Sequence, residues 1–345
     1  MRDRTSKRLG LLRVAATGVV LVLAGACSSD DEGEGTTPST APSTAAHASG
    51  PSAGCEATPA IEPGSTDERL TSGGVERAYQ LDVPASYDGT EPFAVVLGLH
   101  SLTVDYRIVP GMTGFADMAS TYDFIGVAPS GRLESGTPFW NAAPVSDNYD
   151  VAFLDELLDH LEATLCIDTG RVFSTGMSNG AQMSSLLACR VPDRITGIAP
   201  VAGVEFLEPC DGAPVPIVAF HGSADPILPY AGGGLNATTI ADVHFYKGEL
   251  PPGLPEPLGI DESMRLWAAH NHCDPEFVEE RVSAEVRKRT WQRCDAATEL
   301  YIVDGGGHAW PGTPVPQFEA IFGYGTAEID ATALIFSFFF DEDPA

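Results

Sequence analysis

The sequence predicts an α/β fold, a mostly parallel central sheet with helices packed on both faces. Three observations carry that expectation. Nearly unbroken apolar runs, Phe93-Ala94-Val95-Val96-Leu97-Gly98-Leu99 and Phe124-Ile125-Gly126-Val127-Ala128, have the composition of strands covered on both faces. A helical stripe appears between Asp150 and Leu161, where Val151, Leu154, Leu157, Leu158 and Leu161 fall on one side. Strand-like and helix-like segments then alternate, as successive β-α-β units require.

Taken in order, Arg77 to Val83 alternates and stops at Pro84, so it reads as an edge strand. Buried strands follow at 92–100 and 124–129, with a helix at 114–119 between them. After the helix at 150–161 come a β-prone run at 171–175 and a helix at 181–188. Strands at 195–202, 215–220 and 298–303, helices at 262–270 and 329–340, and a long insertion at 231–260 complete the chain. Phe336, Phe338, Phe339 and Phe340 in the closing helix read as packing rather than as a binding face.

The N-terminus reads as a leader. Arg2, Arg4, Lys7, Arg8 and Arg13 precede an apolar run at 14–26 that is short for a membrane span. Leu23-Ala24-Gly25-Ala26-Cys27 resembles a bacterial lipobox, which makes Cys27 the expected lipidation site and 1–26 a lipoprotein signal peptide. Residues 27–54, rich in Ser, Thr, Pro and Ala, cannot bury a core and read as a disordered tether to a folded domain at 55–345. The expected location is extracellular or at the cell surface, with the membrane engaged only through the lipid.

The formal charge is −29, and losing the basic leader would make the remainder more negative still. Such a surface repels phosphate backbones, so nucleic acid is excluded as a partner. Of seven cysteines, six remain beyond Cys27. An even set in an exported chain points to three disulfides, with fifteen possible connectivities. The expected pairs are Cys55–Cys166, Cys189–Cys210 and Cys273–Cys294. The rival use, a metal site including His270, His272 and Cys273, is disfavoured because exported cysteines usually pair.

The chemistry centres on Gly176-Met177-Ser178-Asn179-Gly180, which lies between a strand and a helix. That context forms a tight, strained turn with a serine at its tip. A serine hydroxyl is a weak nucleophile and needs a base, which needs an orienting carboxylate. Asp225 follows the strand at 217–220, and His308 follows the strand at 301–303 on a Gly-rich loop. The order Ser, Asp, His, each just past a strand, is the order such a sheet requires. Asp304 is the rival orienting acid, and His221 reads as a residue that fixes its loop. The developing oxyanion needs backbone donors. Asn179 supplies one, and Leu102, with Ser101 as second choice, supplies the other.

With these residues assembled, the chain resembles the secreted esterase family that includes polyhydroxybutyrate depolymerases and feruloyl or acetylxylan esterases. The matching pieces are Leu99-His100, the run from Arg171 to Gly180, His221-Gly222-Ser223-Ala224-Asp225, and Gly306-Gly307-His308-Ala309-Trp310-Pro311-Gly312. One departure is His100-Ser101-Leu102-Thr103, where the family usually has His-Gly. The resemblance implies an α/β-hydrolase fold, no cofactor, no metal, and hydrolysis of carboxylic esters by Ser178, His308 and Asp225. Small esters, oligomeric polyesters or polysaccharide esters are the expected substrates. Trp140, Trp310 and the insertion at 231–260 are candidate lining residues. Two other classes stand as alternatives, a serine peptidase on the same fold and a non-catalytic binding lipoprotein. Amide preference and failure of Ser178 to react with a fluorophosphonate, respectively, would mark them.

Overall fold

A computed structural model describes residues 49–56, 61–134, 136–233 and 256–340. The chain divides between Ala45 and Ala46, and every described residue belongs to the part that follows. The leader, Cys27, the tether up to residue 48 and most of the insertion (234–255) therefore lie outside the described residues.

Twelve strands are described: β1 (Gly64–Ser72), β2 (Val75–Val83), β3 (Phe93–Leu99), β4 (Phe124–Pro129), β5 (Arg132–Glu134), β6 (Thr137–Phe139), β7 (Ile167–Met177), β8 (Gly197–Val201), β9 (Ile217–Gly222), β10 (Phe277–Arg281), β11 (Val286–Trp291) and β12 (Thr298–Val303). The helices are α1 (Val109–Thr113), α2 (Phe115–Tyr122), α3 (Tyr149–Thr164), α4 (Asn179–Arg190), α5 (Ile260–His270), α6 (Glu319–Phe322) and α7 (Ala331–Phe340). Ten strands form one sheet in the order β1-β2-β4-β3-β7-β8-β9-β12-β11-β10. The six central strands, β4 to β12, pair in parallel, and antiparallel pairs flank them at both edges.

The central strands form where the sequence is apolar on both faces. Every residue of β3, β4, β8 and β9 is buried. On one face Val95, Leu97 and Leu99 belong to the same core as Leu154 and Leu157 of α3 and Leu186 of α4. On the other, Val96 and Phe124 meet α2 and α7. The closing aromatics are packing, as expected: Phe336 stacks on Phe124 at 4.8 Å and Phe339 on Phe173 at 4.6 Å. Each such fully buried ring is worth about 1.5–3 kcal/mol. Helix α3 starts where Asn148 Oδ1 accepts from the N–H groups of Asp150 and Val151, which satisfies two of its otherwise unpaired donors.

The sheet corrects two expectations. The strand ending at Val83 is not an edge, because β1 pairs along its whole length. β1, Gly-Ser-Thr-Asp-Glu-Arg-Leu-Thr-Ser, is mostly exposed and has Leu70 as its one large apolar residue, so no apolar alternation marked it. The domain also begins before Cys55. Gly50 O accepts from Thr169 N at 2.9 Å, Ser52 N donates to Ile167 O at 2.8 Å, and Ser52 Oγ donates to Leu165 O at 2.6 Å. Residues of tether-like composition are ordered here because β7 offers them backbone partners.

All three disulfides form as expected, Cys55–Cys166, Cys189–Cys210 and Cys273–Cys294. The first spans 111 residues and fastens the N-terminal segment to the start of β7. Among the described residues no helix is long and apolar enough to cross a membrane.

Candidate active site

The parallel strands β7, β8, β9 and β12 are successive neighbours, so their C-terminal ends share one rim. The candidate residues follow three of those ends. Ser178, directly after β7, has φ 58° and ψ −119°, a left-handed conformation that a non-glycine residue avoids at a cost of about 1–3 kcal/mol. Neighbours over-determine it. Ser178 N–H donates to Val201 O at 2.9 Å, and Ser178 O accepts from Gln182 N at 3.0 Å. The flanking glycines answer to close approach. A Cβ on Gly180 would sit 2.2 Å from Leu99 O, and one on Gly176 would sit 2.7 Å from Gly180 C. Strand, turn and helix can meet this tightly only without those side chains.

Asp225 and His308 are brought together by the adjacent strands β9 and β12. Their loops are laced: Ser223 N donates to Val303 O, Ala224 N to Gly306 O, and Gly305 N to Ser223 Oγ. His308 Nδ1–H donates to Asp225 Oδ2 at 2.7 Å. The other carboxylate oxygen accepts from the N–H groups of Ile227 and Leu228 at 2.8 and 2.9 Å. Burial alone would raise the Asp225 carboxyl; the imidazole of His308 and these hydrogen bonds outweigh it and hold the group below its ordinary range. With Asp225 accepting from Nδ1–H, the neutral ring keeps its lone pair at Nε2, where it can accept a proton. The preference for Asp225 over Asp304 agrees with this geometry, since Asp304 is held by Arg287 and Arg281. His221 fixes its loop, its Nε2–H donating to Leu228 O at 2.9 Å, and burial keeps it neutral.

The loop after β3 is built from distant pieces. His100 Nδ1–H donates to Ser101 O at 2.8 Å, and its Nε2 accepts from Gly131 N at 2.8 Å. Burial pushes its pKa down to about 4, which preserves this neutral tautomer. The ring stacks on Trp140 at 5.0 Å, and Trp140 Nε1 donates to His100 O at 3.1 Å. The Asn179 side chain clamps Trp140 on both sides, Oδ1 accepting from Trp140 N at 2.8 Å and Nδ2 donating to Trp140 O at 2.9 Å. Ser101 Oγ donates to Met177 O at 3.2 Å. Neither Leu102 N nor Asn179 N has an acceptor among the described residues, as a donor kept for a ligand requires.

The two tryptophans are not lining residues. Trp140 is fully buried, and Trp310, 3% exposed, donates from Nε1 to Thr332 Oγ1 at 3.0 Å. Both expectations are corrected, because each indole N–H finds its partner inside the fold. Trp140 instead braces the loop that carries Leu102. Sequence reasoning also missed Glu205, in the loop after β8. Burial raises its carboxyl to about 8, and Leu258 N and the Gln182 side chain donate to it. Gln182 lies one turn beyond Ser178 on α4. No sequence signal linked these residues, since Gln182 and Glu205 stand in different elements.

No protein-family model matches the chain. A probable feruloyl esterase C of Aspergillus niger is 30% identical over 247 residues, covering 67% of this chain and 76% of the relative. Feruloyl esterase D of Neurospora crassa is 32% identical over 54% of this chain and 66% of its own length. Among solved structures, an acetyl xylan esterase from Aspergillus awamori matches with TM-score 0.50 at 16% identity, covering 70% of this chain and 94% of that one, which supports the fold. The chain therefore belongs to the feruloyl esterase-like family of α/β-hydrolases, and it is a serine esterase, a hydrolase of carboxylic esters.

Proposed function

We propose that Ser178, His308 and Asp225 form the catalytic triad of this esterase, with the N–H groups of Asn179 and Leu102 receiving the oxyanion. The observation that carries the reading is the Asp225–His308 hydrogen bond of 2.7 Å on the rim where Ser178 is held in its strained turn. The strand order supports it: β7, β8, β9 and β12 are consecutive in the sheet, so the segments carrying Ser178, Asp225 and His308 leave it on one rim.

Ser178 Oγ attacks the ester carbonyl while His308 Nε2 takes its proton. Negative charge moves to the carbonyl oxygen, where two backbone donors meet it. His308 then passes the proton to the departing alcohol, leaving Ser178 acylated. Water, deprotonated by His308, releases the acid and restores the serine. Asp225 stays ionised and stabilises the imidazolium. Replacement of Ser178 by Ala tests the assignment with p-nitrophenyl butyrate: a loss of several orders of magnitude in kcat is expected, and unchanged turnover would remove Ser178 from the reaction.

The substrates this reading favours are feruloyl or acetyl esters and short polyhydroxyalkanoate oligomers. The family relationship to feruloyl esterases supports the first. The three disulfides, which persist in oxidising compartments, support an extracellular site of action. In the same reading Cys27 carries the lipid that anchors the protein, and the acidic tether holds the enzyme off the membrane. A panel of methyl ferulate, acetylated xylan and hydroxybutyrate oligomers ranks the candidates by kcat/KM.

A further inference from the structure

Stability alone does not explain a histidine at 221, near the end of β9. Its side chain is fully buried, and its Nδ1 has no hydrogen-bond partner among the described residues. An unpaired buried nitrogen is destabilising, and an apolar residue of similar size would avoid it. The other ring nitrogen faces the acid of the triad. Nε2–H donates to Leu228 O at 2.9 Å, and the same nitrogen lies 3.5 Å from Asp225 Oδ2. That carboxylate oxygen is the one that accepts from His308 Nδ1 at 2.7 Å. Two imidazoles therefore converge on one oxygen. Leu228 links them a second time, because its N–H holds Asp225 Oδ1 at 2.9 Å while its carbonyl is held by His221.

We propose that His221 is a positioning residue for the ester hydrolysis: it holds the Asp225 carboxylate in the orientation from which that group aligns His308. The inference rests on the triad reading above. The single N–H acts in two ways. It pins the Leu228 carbonyl, and through the Leu228 N–H it restrains Oδ1, so the carboxylate resists rotation. It also places a donor's partial positive charge near Oδ2, the oxygen that faces His308. The ring does this while neutral, since burial holds its pKa below the ordinary value. The neutral state matters. An imidazolium at 221 would compete with His308 for the same carboxylate, whereas a neutral N–H leaves the charge of Asp225 to stabilise the imidazolium that forms on His308.

The test compares three variants by hydrolysis of p-nitrophenyl butyrate, each measured well below its own Tm. His221→Leu fills the space without a donor. His221→Asn keeps an amide but places it at the level of Nδ1, too short for the contact. His221→Gln carries its N–H out to the level of Nε2. The first two should lower kcat about 10–100-fold with KM changed less than about twofold, the loss expected of a misaligned catalytic group. His221→Gln should stay within about fivefold of the wild type. Proton NMR reads the alignment itself. The His308 Nδ1–H bound to Asp225 gives a far-downfield resonance, assigned by its loss in His308→Ala. It should move upfield and broaden in His221→Leu and His221→Asn, and return toward its wild-type place in His221→Gln. Wild-type kcat in the first two variants, an equal loss in all three, or an unmoved resonance would overturn the positioning role while leaving the triad standing. Wild-type kcat in Asp225→Asn would instead overturn the triad reading, and the role of His221 with it.

Discussion

The proposed acid–base arm and the proposed oxyanion arm of the site are built on different principles. Asp225 and His308 each stand at the end of a central strand, inside a short contiguous motif, and two laced loops bring their side chains to 2.7 Å. The loop at 100–103 instead depends on Gly131, Trp140 and Asn179, which come from three other stretches of chain. The difference follows from what each arm supplies. Acid–base work needs particular side chains, so residue identity reveals it. An oxyanion donor is a backbone N–H that nearly every residue owns, and only its aim matters. Aim is set by the surroundings.

That contrast can be broken by substitution. The acid–base arm should give the largest effects. His308→Ala is expected to lower kcat by about 10⁵–10⁶ with little change in Tm, as removal of a member of a cooperating triad does. Asp225→Asn should cost about 10⁴, because an amide cannot hold the productive tautomer or stabilise the imidazolium. Steady-state kinetics on p-nitrophenyl butyrate reads both.

The oxyanion arm should give smaller losses. Asn179→Ala keeps the backbone donor but removes both bonds to Trp140, and a drop of about 10–100-fold in kcat with a modest change in KM is expected. A loss equal to that of Asp225→Asn would mean that the clamp does more than aim a loop. His100→Phe keeps the stack on Trp140 but deletes the partners of Ser101 O and Gly131 N. Leaving the Gly131 N–H unpaired should cost about 1–3 kcal/mol in unfolding free energy, measured with denaturant.

The smallest effect on activity is expected at Glu205, where the readout is stability against pH. Its pKa is raised in the folded protein, to about 8 from an ordinary 4.5. Below pH 4.5 both folded and unfolded states carry the proton. Between 4.5 and 8 the unfolded chain has released it while the folded one keeps it, so stability falls as pH rises through that window. Above it the slope from this group vanishes. Glu205→Gln should flatten the decline and make the protein more stable at pH 8, by an amount on the order of a few kcal/mol. A steeper decline in the variant would contradict the assignment.

The same contrast explains what could be read from the chain alone. Strands β3, β4, β8 and β9 were legible because burial on both faces leaves an apolar run with no polar partner. The elbow was legible because close approach admits only glycine at 176 and 180. The flanking strands β1, β10 and β11 were not, since they are exposed or charged and owe their pairing to neighbours, for instance Arg287 and Arg289 with Glu279. Trp140 was misread for a related reason. Its residue type fits a cleft as well as a core, and its partners His100 and Asn179 lie about forty positions away on either side. Glu205 was invisible because a buried carboxyl is recognised by the absence of nearby cations, which only folding determines.

The most direct test is chemical. The wild-type enzyme and His308→Ala are treated with a fluorophosphonate, digested, and mapped by mass spectrometry. The adduct should appear on Ser178 in the wild type, with labelling slowed by several orders of magnitude in His308→Ala. An adduct on another residue, or equally fast labelling of Ser178 without the imidazole, would contradict the claim that the three side chains act together.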